Sequence, residues 1–368
     1  MKRPRVIISG GGTGGHIFPA ISIAEAIKTK CPQAEILFVG AIGRMEMEKV
    51  PAAGYEIIGL PVAGLQRSLS LKNLALPVKI VKSLCKAKRI IKNFKPDVVV
   101  GVGGYASAPV LWSASRMGIP CLIQEQNSFA GLTNRILSKR VKKICTAYEG
   151  MEKFFPAEKI TLTGNPIRKE IVPATADMKR EGYEFYGLNP DRKTIFVVGG
   201  SLGCATLNRV MRNWVENGGD KKDYQVIWQC GKLYKAGIDE FLAGRDIPNL
   251  FCTDFIKRMD LAYAAADIVV SRAGAGSISE LCVAGKATIF VPSPHVAEDH
   301  QTHNAMALVN KDAALMVKDE QAVEKLIPLA EELLANPDGI RKLEENVILL
   351  GKKNAAEEIA DDVLALIQ

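Results

Sequence analysis

His16 closes the run Gly10-Gly-Gly-Thr-Gly-Gly-His16, a glycine-rich turn directly after the apolar segment Arg5-Val-Ile-Ile-Ser9. A turn of this kind that opens a helix presents main-chain N–H groups to a phosphate, and Gly10, Gly12 and Gly15 satisfy the loose G-x-G-x-x-G spacing. A dinucleotide enzyme also places Asp or Glu at the end of the second strand. Ile36-Leu-Phe-Val-Gly-Ala41 ends without one, which argues against a nicotinamide cofactor. His16 is one of four histidines. Imidazole titrates near pH ~6.5, so His16 is a candidate general base; the alternative is a histidine that only hydrogen-bonds to its loop. Glu125 is a second, weaker candidate.

A similar turn, Gly199-Gly-Ser-Leu-Gly203, precedes Ala205-Thr-Leu-Asn208. Ser201 and a helix N-terminus there suit a diphosphate, supplying positive field where a leaving group becomes anionic; a capped tight turn is the plainer reading. In Arg272-Ala-Gly-Ala-Gly-Ser-Ile-Ser-Glu280 the carboxylate is expected in the first turn of a helix. It either accepts both hydroxyls of a ribose or simply favours the helix N-terminus. His295, His300 and His303 with Glu298 and Asp299 have the composition of a metal site, but contacts to sugar or phosphate, or plain solvation, account for them better, and no metal is assigned.

The elements that position these residues repeat. Strand, glycine turn and helix recur at Arg5–Ser9, at Asp97-Val-Val-Val-Gly-Val-Gly-Gly104, at Thr194-Ile-Phe-Val-Val-Gly-Gly-Ser201 and at Asp267-Ile-Val-Val-Ser-Arg-Ala-Gly274. The first helix is read over Pro19–Ile27. Each half thus holds two such units, the second led by Asp97 or Asp267 and followed by another strand, Ile119–Ile123 or Ala287–Val291. The pattern predicts an α/β protein of two doubly wound parallel-sheet domains, with ligands outside the carboxyl ends of the strands in a shared cleft. The boundary is placed near Thr163-Gly-Asn-Pro-Ile167, giving domains 1–163 and 164–345, and the end of the chain is helical with a break at Asn336-Pro-Asp-Gly339.

Composition bounds the function. The chain has 368 residues, 48% hydrophobic and 24% charged, enough for two globular cores. No run reaches ~18 apolar residues, and the N-terminus turns into glycines before a signal-peptide core forms, so neither membrane span nor leader is expected. Eight singly scattered cysteines read as buried small hydrophobes in a reducing cytosol. Residues 1–163 carry 24 Lys and Arg against 10 Asp and Glu, whereas 164–368 carry 24 against 30. The first half therefore seeks an anion. Between Glu56 and Asp97 there are nine basic residues and no acidic one: Arg67, Lys72, Lys79, Lys82, Lys86, Lys88, Arg89, Lys92 and Lys95. Leu65, Leu69, Leu71, Leu74, Leu76 and Val78 are interleaved ahead of a helix with Ile80, Leu84, Ala87, Ile91 and Phe94 on one expected face. A basic-rimmed apolar stretch over 65–95 suits anionic lipid better than nucleic acid.

GGTGGHIFPA, GVGGYASAP, QEQNSFAGLTN, TGNPIR, GGSLGC, FIKRM, RAGAGSISE and EDHQTHNA, in this order from Gly10 to about Ala314, resemble the MurG family, the peripheral membrane glycosyltransferases of peptidoglycan synthesis that convert lipid I into lipid II. The resemblance implies a GT-B fold, two Rossmann-like domains facing across a cleft, with acceptor site mostly in the first and UDP-sugar site mostly in the second, and a C-terminal helix in 346–368 returning to the first. It implies that Thr13, Gly14, Gly15 and Asn127 line the donor phosphate and acceptor region. Arg168, Ser201 and the backbone of Ile256 are expected on the nucleotide, Ala275, Gly276, Ser277, Ile278, Ser279 and Glu280 on ribose and diphosphate, and Gln301 on the sugar hydroxyls. The implied reaction is an inverting single displacement from UDP-N-acetylglucosamine to lipid I at the cytoplasmic face of the membrane, with other cell-wall synthesis proteins as possible partners. No Asp-x-Asp occurs, so no cofactor is expected to be required. The alternatives are a UDP-N-acetylglucosamine 2-epimerase, which shares the fold and the nucleotide sugar but needs no lipid, and a non-catalytic nucleotide-sugar-binding membrane adaptor.

Overall fold

The computed structural model describes residues 3–62, 76–200 and 202–367. The chain divides into two compact units, Met1–Ile167 with Lys353–Gln368, and Arg168–Lys352. The first unit contains strands β1 (Arg5–Ser9), β2 (Glu35–Ala41), β3 (Glu56–Leu60), β4 (Val98–Gly101), β5 (Cys121–Glu125), β6 (Lys143–Thr146) and β7 (Ile160–Leu162). They form one parallel sheet in the order β3-β2-β1-β4-β5-β6-β7. The second contains β8 (Thr194–Val198), β9 (Gln225–Gln229), β10 (Leu250–Thr253), β11 (Ile268–Ser271), β12 (Thr288–Phe290) and β13 (Leu315–Met316), parallel in the order β10-β9-β8-β11-β12-β13. Both are doubly wound, as the repeated strand-turn-helix pattern predicts, and the direction of winding reverses between β1 and β4 and between β8 and β11.

The apolar runs have no polar alternation because both faces of the sheet are covered. Val6, Ile8, Val98 and Val100 pack into one layer with Ile17, Ile23 and Ile27, while Ile7 and Val99 enter the other with Ile91, Val110 and Leu111. The two Asp-led strands share one device. The Arg5 N–H donates to Asp97 Oδ2 at 2.9 Å and the Thr194 N–H to Asp267 Oδ2 at 2.8 Å. Each carboxylate thereby ties the start of its own strand to the start of the central one.

Three expectations are corrected. The first helix runs Gly14–Lys30, beginning before Pro19, because the Thr13 carbonyl already accepts from the His16 and Ile17 N–H groups. Helix Leu76–Phe94 buries Ser83, Ala87, Ile90 and Ile91, whereas Ile80 is 50% exposed; the burial stripe lies to one side of the expected one. Cys85, on the outer face of that helix, is exposed rather than buried. The leucine-rich part of the basic stretch, Leu65, Arg67, Leu69, Leu71, Lys72 and Leu74, lies outside the described residues.

Near the end, Asn336 Oδ1 accepts the Gly339 N–H and Pro337 occupies the first turn, so helix Pro337–Ile348 restarts after helix Ala322–Leu334. Helix Ala355–Ala365 then completes the first unit, burying Ile359, Ala360 and Val363 with Ala20, Ile23 and Ile27. Lys30 pairs with Asp361 at 2.7 Å and Lys143 with Asp362 beside it. Ile359 is fully buried here, so Ile359→Ala is expected to destabilise by about 2–5 kcal/mol. Urea unfolding followed by hydrogen exchange of both units checks it: protection should fall in the first unit and stay unchanged in the second.

Candidate functional site

In the first unit the two turns at the winding reversal are locked together. Ser107 Oγ donates to the Ser9 carbonyl at 2.7 Å and also lies 2.8 Å from the Gly103 carbonyl, joining the ends of β1 and β4. A Cβ on Gly104 would lie 2.3 Å from the Gly11 carbonyl oxygen, and one on Gly103 2.8 Å from His16 Cδ2. Only glycine lets the second turn sit on the first and against the imidazole. Thr13, in extended conformation at the N-cap, holds its Oγ1 3.2 Å from His16 Nδ1. Gly15 and Thr13 are exposed and His16 half-buried, so this pair stands at the rim of the turn.

The end of β5 supplies the other sequence-predicted group. Glu125 is buried, and its carboxylate accepts from the Asn127 N–H at 3.0 Å, Asn127 Nδ2 at 3.3 Å, the Gly131 N–H at 3.1 Å and Asn134 Nδ2 at 2.8 Å. Burial pushes its carboxyl pKa up, and those four donors offset only part of the rise. The geometry is that of a loop organiser: both oxygens are committed to the segment that carries Asn127. Gln124 Nε2 donates to Asn165 Oδ1 at 2.8 Å, and Asn165 Nδ2 to the Gln126 carbonyl at 3.0 Å, so the TGNP segment is stitched to the same strand end. Asn134, Gln126 and Ser107 were missed from the sequence. For Gln126 and Ser107 the signal was an amide or hydroxyl within three residues of a strand end or glycine turn; Asn134, inside helix Leu132–Leu137, carried none.

In the second unit Arg168 and Glu280 meet. Nε donates to Oε1 at 2.7 Å and Nη2 to Oε2 at 2.5 Å, a bidentate pair. The Tyr263 hydroxyl donates to Oε2 at 3.4 Å. Burial first, and the neighbouring carboxylate second, push the tyrosine pKa well up. Burial lowers the Arg168 pKa, but Glu280 outweighs it and the net shift is upward. Glu280 stands in the second turn of helix Ala275–Ala284, not the first, because Gly274 is the N-cap and the Ile278 N–H closes the first turn onto its carbonyl. The N-terminus itself is left to Ala275, Gly276 and Ser277, whose N–H groups no carbonyl within the helix can reach. A Cβ on Gly276 would meet nothing within 4 Å. Ile278 is buried and Ser279 Oγ turns back to the Ala275 carbonyl at 3.0 Å.

The neighbouring loops are fixed from beneath. Gln229 Nε2 donates to the Gly200 carbonyl at 2.7 Å, and its Oε1 accepts the Ile256 N–H at 3.4 Å, so Ile256 and the glycine turn share one side chain. Gln301 Oε1 accepts the Ser293 N–H at 2.9 Å, holding the loop after β12. Arg272 Nη1 donates to the carbonyls of Val291 and Pro292 and pairs with Asp319 at 2.6 Å, while Thr206 Oγ1 donates to the other Asp319 oxygen at 2.9 Å. Ser201 lies outside the described residues, and helix Ala205–Glu216 begins at Ala205, where the sequence reading put it, with Cys204 as N-cap.

Comparison with known proteins agrees with this construction. Residues 6–146 match the glycosyltransferase family 28 N-terminal domain and residues 194–363 the glycosyltransferase family 28 C-terminal domain. The UDP-N-acetylglucosamine--N-acetylmuramyl-(pentapeptide) pyrophosphoryl-undecaprenol N-acetylglucosamine transferase of Parabacteroides distasonis is 54% identical over 100% of this chain and 99% of its own length. A crystal structure of Acinetobacter baumannii MurG matches with TM-score 0.79 and 28% identity, covering 98% of this chain and 99% of that one. A UDP-GlcNAc 2-epimerase from Neisseria meningitidis, bound to UDP-GlcNAc, matches with TM-score 0.66 over 99% of this chain and 100% of that one, but at 13% identity, a likeness of fold alone. End-to-end identity above one half separates what the shared fold cannot, and the chain belongs to the UDP-N-acetylglucosamine--N-acetylmuramyl-(pentapeptide) pyrophosphoryl-undecaprenol N-acetylglucosamine transferase family, with the paired domains of glycosyltransferase family 28.

Proposed function

We propose that the protein transfers N-acetylglucosamine from UDP-N-acetylglucosamine to the muramyl 4-hydroxyl of an undecaprenyl-pyrophosphoryl-N-acetylmuramyl-pentapeptide, turning lipid I into lipid II by an inverting single displacement. The observation that carries the chemistry is helix Ala275–Ala284, whose unhindered first turn at Gly276 stands one turn from the Arg168–Glu280 pair. Its N-terminal field favours the charge that develops on departing UDP, and Glu280 offers its remaining acceptor lone pair to a ribose hydroxyl. Ser201, the Ile256 backbone and Gln301 take the roles the family resemblance implies, on nucleotide and sugar. His16 takes the acceptor proton, oriented through Nδ1 by Thr13, while Gly14, Gly15 and Asn127 line the acceptor region. Glu125 acts by holding the Asn127 loop. With helix N–H groups supplying the positive field, the reaction calls for no metal or organic cofactor.

The acceptor is membrane-bound, and among the described residues no helix is long and apolar enough to cross a membrane. Peripheral attachment at the cytoplasmic face, through anionic lipid and alongside other cell-wall synthesis proteins, is the proposed arrangement. It is supported by helix Leu76–Phe94, where Arg5, Glu56, Val81, Lys82, Lys86 and Arg89 line a groove of about 780 Å³. Four cations surround one carboxylate there, and Ile80 and Val81 are exposed beside them.

Transfer of labelled sugar to a short-chain lipid I analogue tests the reaction. Glu280→Ala removes charge-assisted hydrogen bonds worth roughly 1.5–3 kcal/mol and is expected to raise the donor KM about 10–100-fold. His16→Ala is expected to lower kcat roughly 10²–10⁴-fold with donor KM little changed. No transfer by the parent, with UDP still bound, would overturn the proposal in favour of epimerase chemistry. Attachment is checked by vesicle sedimentation. Replacing Lys82, Lys86 and Arg89 together with alanine removes about 1 kcal/mol each at an anionic surface, so binding should weaken roughly a hundredfold while turnover on the short-chain acceptor stays constant. Equal binding to neutral and anionic vesicles contradicts the lipid assignment.

A further inference from the structure

Glu46 is the first residue of helix Glu46–Ala52, yet its carboxylate does not serve that helix. It is 1% exposed and turns back beneath the glycine turn of the first unit. Oε2 accepts the Gly12 N–H at 2.9 Å and Oε1 accepts the Ala41 N–H at 2.9 Å, bridging the turn after β1 to the end of β2. The backbone is shaped to admit it: a Cβ on Gly11 would lie 2.2 Å from Oε1, and one on Gly40 2.6 Å from Cγ. Gly40, and Gly11 with a φ of +144° that itself favours glycine, thus leave the room this buried side chain fills. Glu48, exposed in the same first turn, already complements the helix N-terminus, so dipole stabilisation gives no reason to bury Glu46. Nor does an ion pair, since among the described residues no Lys or Arg is paired with it.

Burying a carboxylate among main-chain donors is a costly way to add stability and an effective way to select one loop conformation. We infer that Glu46 is the positioning residue of the acceptor-activating turn: it accepts the Gly12 N–H, thereby setting the orientation in which Thr13 and His16 are presented. This inference rests on the proposed role of His16. It also changes what the turn is. In a dinucleotide site the glycines bring N–H groups to a pyrophosphate; here the Gly12 N–H is already committed to the protein's own carboxylate. That donor of the turn is spent on holding the histidine's loop in place, and an anion there would be met by the N–H groups beyond Gly12.

The test compares Glu46→Gln, Glu46→Asp and Glu46→Ala with the parent, His16→Ala and Ile359→Ala, using the full chain and the short-chain acceptor. Glutamine keeps the size but offers a single acceptor oxygen, so one of the two N–H groups faces an amide NH₂. The expected result is a kcat at least tenfold below parent for Glu46→Gln and Glu46→Ala, donor KM within twofold, partial recovery in Glu46→Asp, and faster amide exchange at Gly12. Ile359→Ala, destabilised in the same unit but remote from the turn, should keep its kcat at temperatures where it remains folded. If Glu46→Ala does not fold, the Gln and Asp variants carry the comparison. Parental kcat in Glu46→Gln while His16→Ala is impaired would overturn this inference alone. A loss in Glu46→Gln no greater than in Ile359→Ala would do the same, because it reduces Glu46 to general stability. An inactive parent would overturn the functional proposal and this inference together.

Discussion

Every parallel strand ends by pushing main-chain N–H and C=O groups into the loop that leaves the sheet, and these groups must be satisfied wherever the loop is buried. In this protein the satisfaction comes from long side chains that reach under the loops. Glu46 serves the turn after β1, Glu125 the segment after β5, Gln229 the turn after β8 and Gln301 the loop after β12. The loops are thus ordered from below, and their upper faces stay open to substrate.

The two units solve the same problem with different charge. Beneath the loops of the first are carboxylates, although its overall charge is strongly positive. Its basic residues lie instead on outer surfaces such as helix Leu76–Phe94. On the proposed function, positive charge that would meet a phospholipid is therefore separated from the turn that would take a hydroxyl proton. In the second unit the loops rest on amides and on the Arg272–Asp319 pair, and the exposed polar terminus belongs to a helix N-terminus. That unit carries excess acid overall, so the nucleotide diphosphate of the proposed function would be drawn locally, by oriented N–H groups and Arg168.

The legible part of the sequence was the part written in apolar runs and glycine. The four strand-turn-helix units read from it open on β1, β4, β8 and β11, which flank both winding reversals, because central strands covered on two faces have no polar positions to blur them. His16, Glu125 and Glu280 stood out because they follow such strands or their glycine turns. Glu46 did not. It sits in Met45-Glu46-Met47-Glu48, an ordinary amphipathic helix start, and its role depends on a contact with Gly12, far away in sequence. The acidic residue sought at the end of β2 was sought for a ribose; the carboxylate found there five residues later faces inward. The partner of helix Ala355–Ala365 was likewise invisible to periodicity, which fixes a buried face without naming what covers it.

The Arg168–Glu280 pair raises the question of how one carboxylate serves both an arginine and a ribose. A carboxylate offers about four lone-pair directions. Arg168 takes one on each oxygen, and Tyr263 approaches Oε2 at 3.4 Å. Oε1 retains the unused direction, so a ribose hydroxyl can bind beside the arginine without displacing it. Breaking the pair would leave a buried carboxylate uncompensated, a cost of several kcal/mol that no single neutral hydroxyl repays. On the proposed function Arg168 would therefore stay in place as the donor arrives, holding Glu280 in a fixed rotamer and leaving its own outer N–H groups to the phosphates. On this arrangement the pair acts as one recognition unit, with ribose read by its acidic half and diphosphate by its basic half.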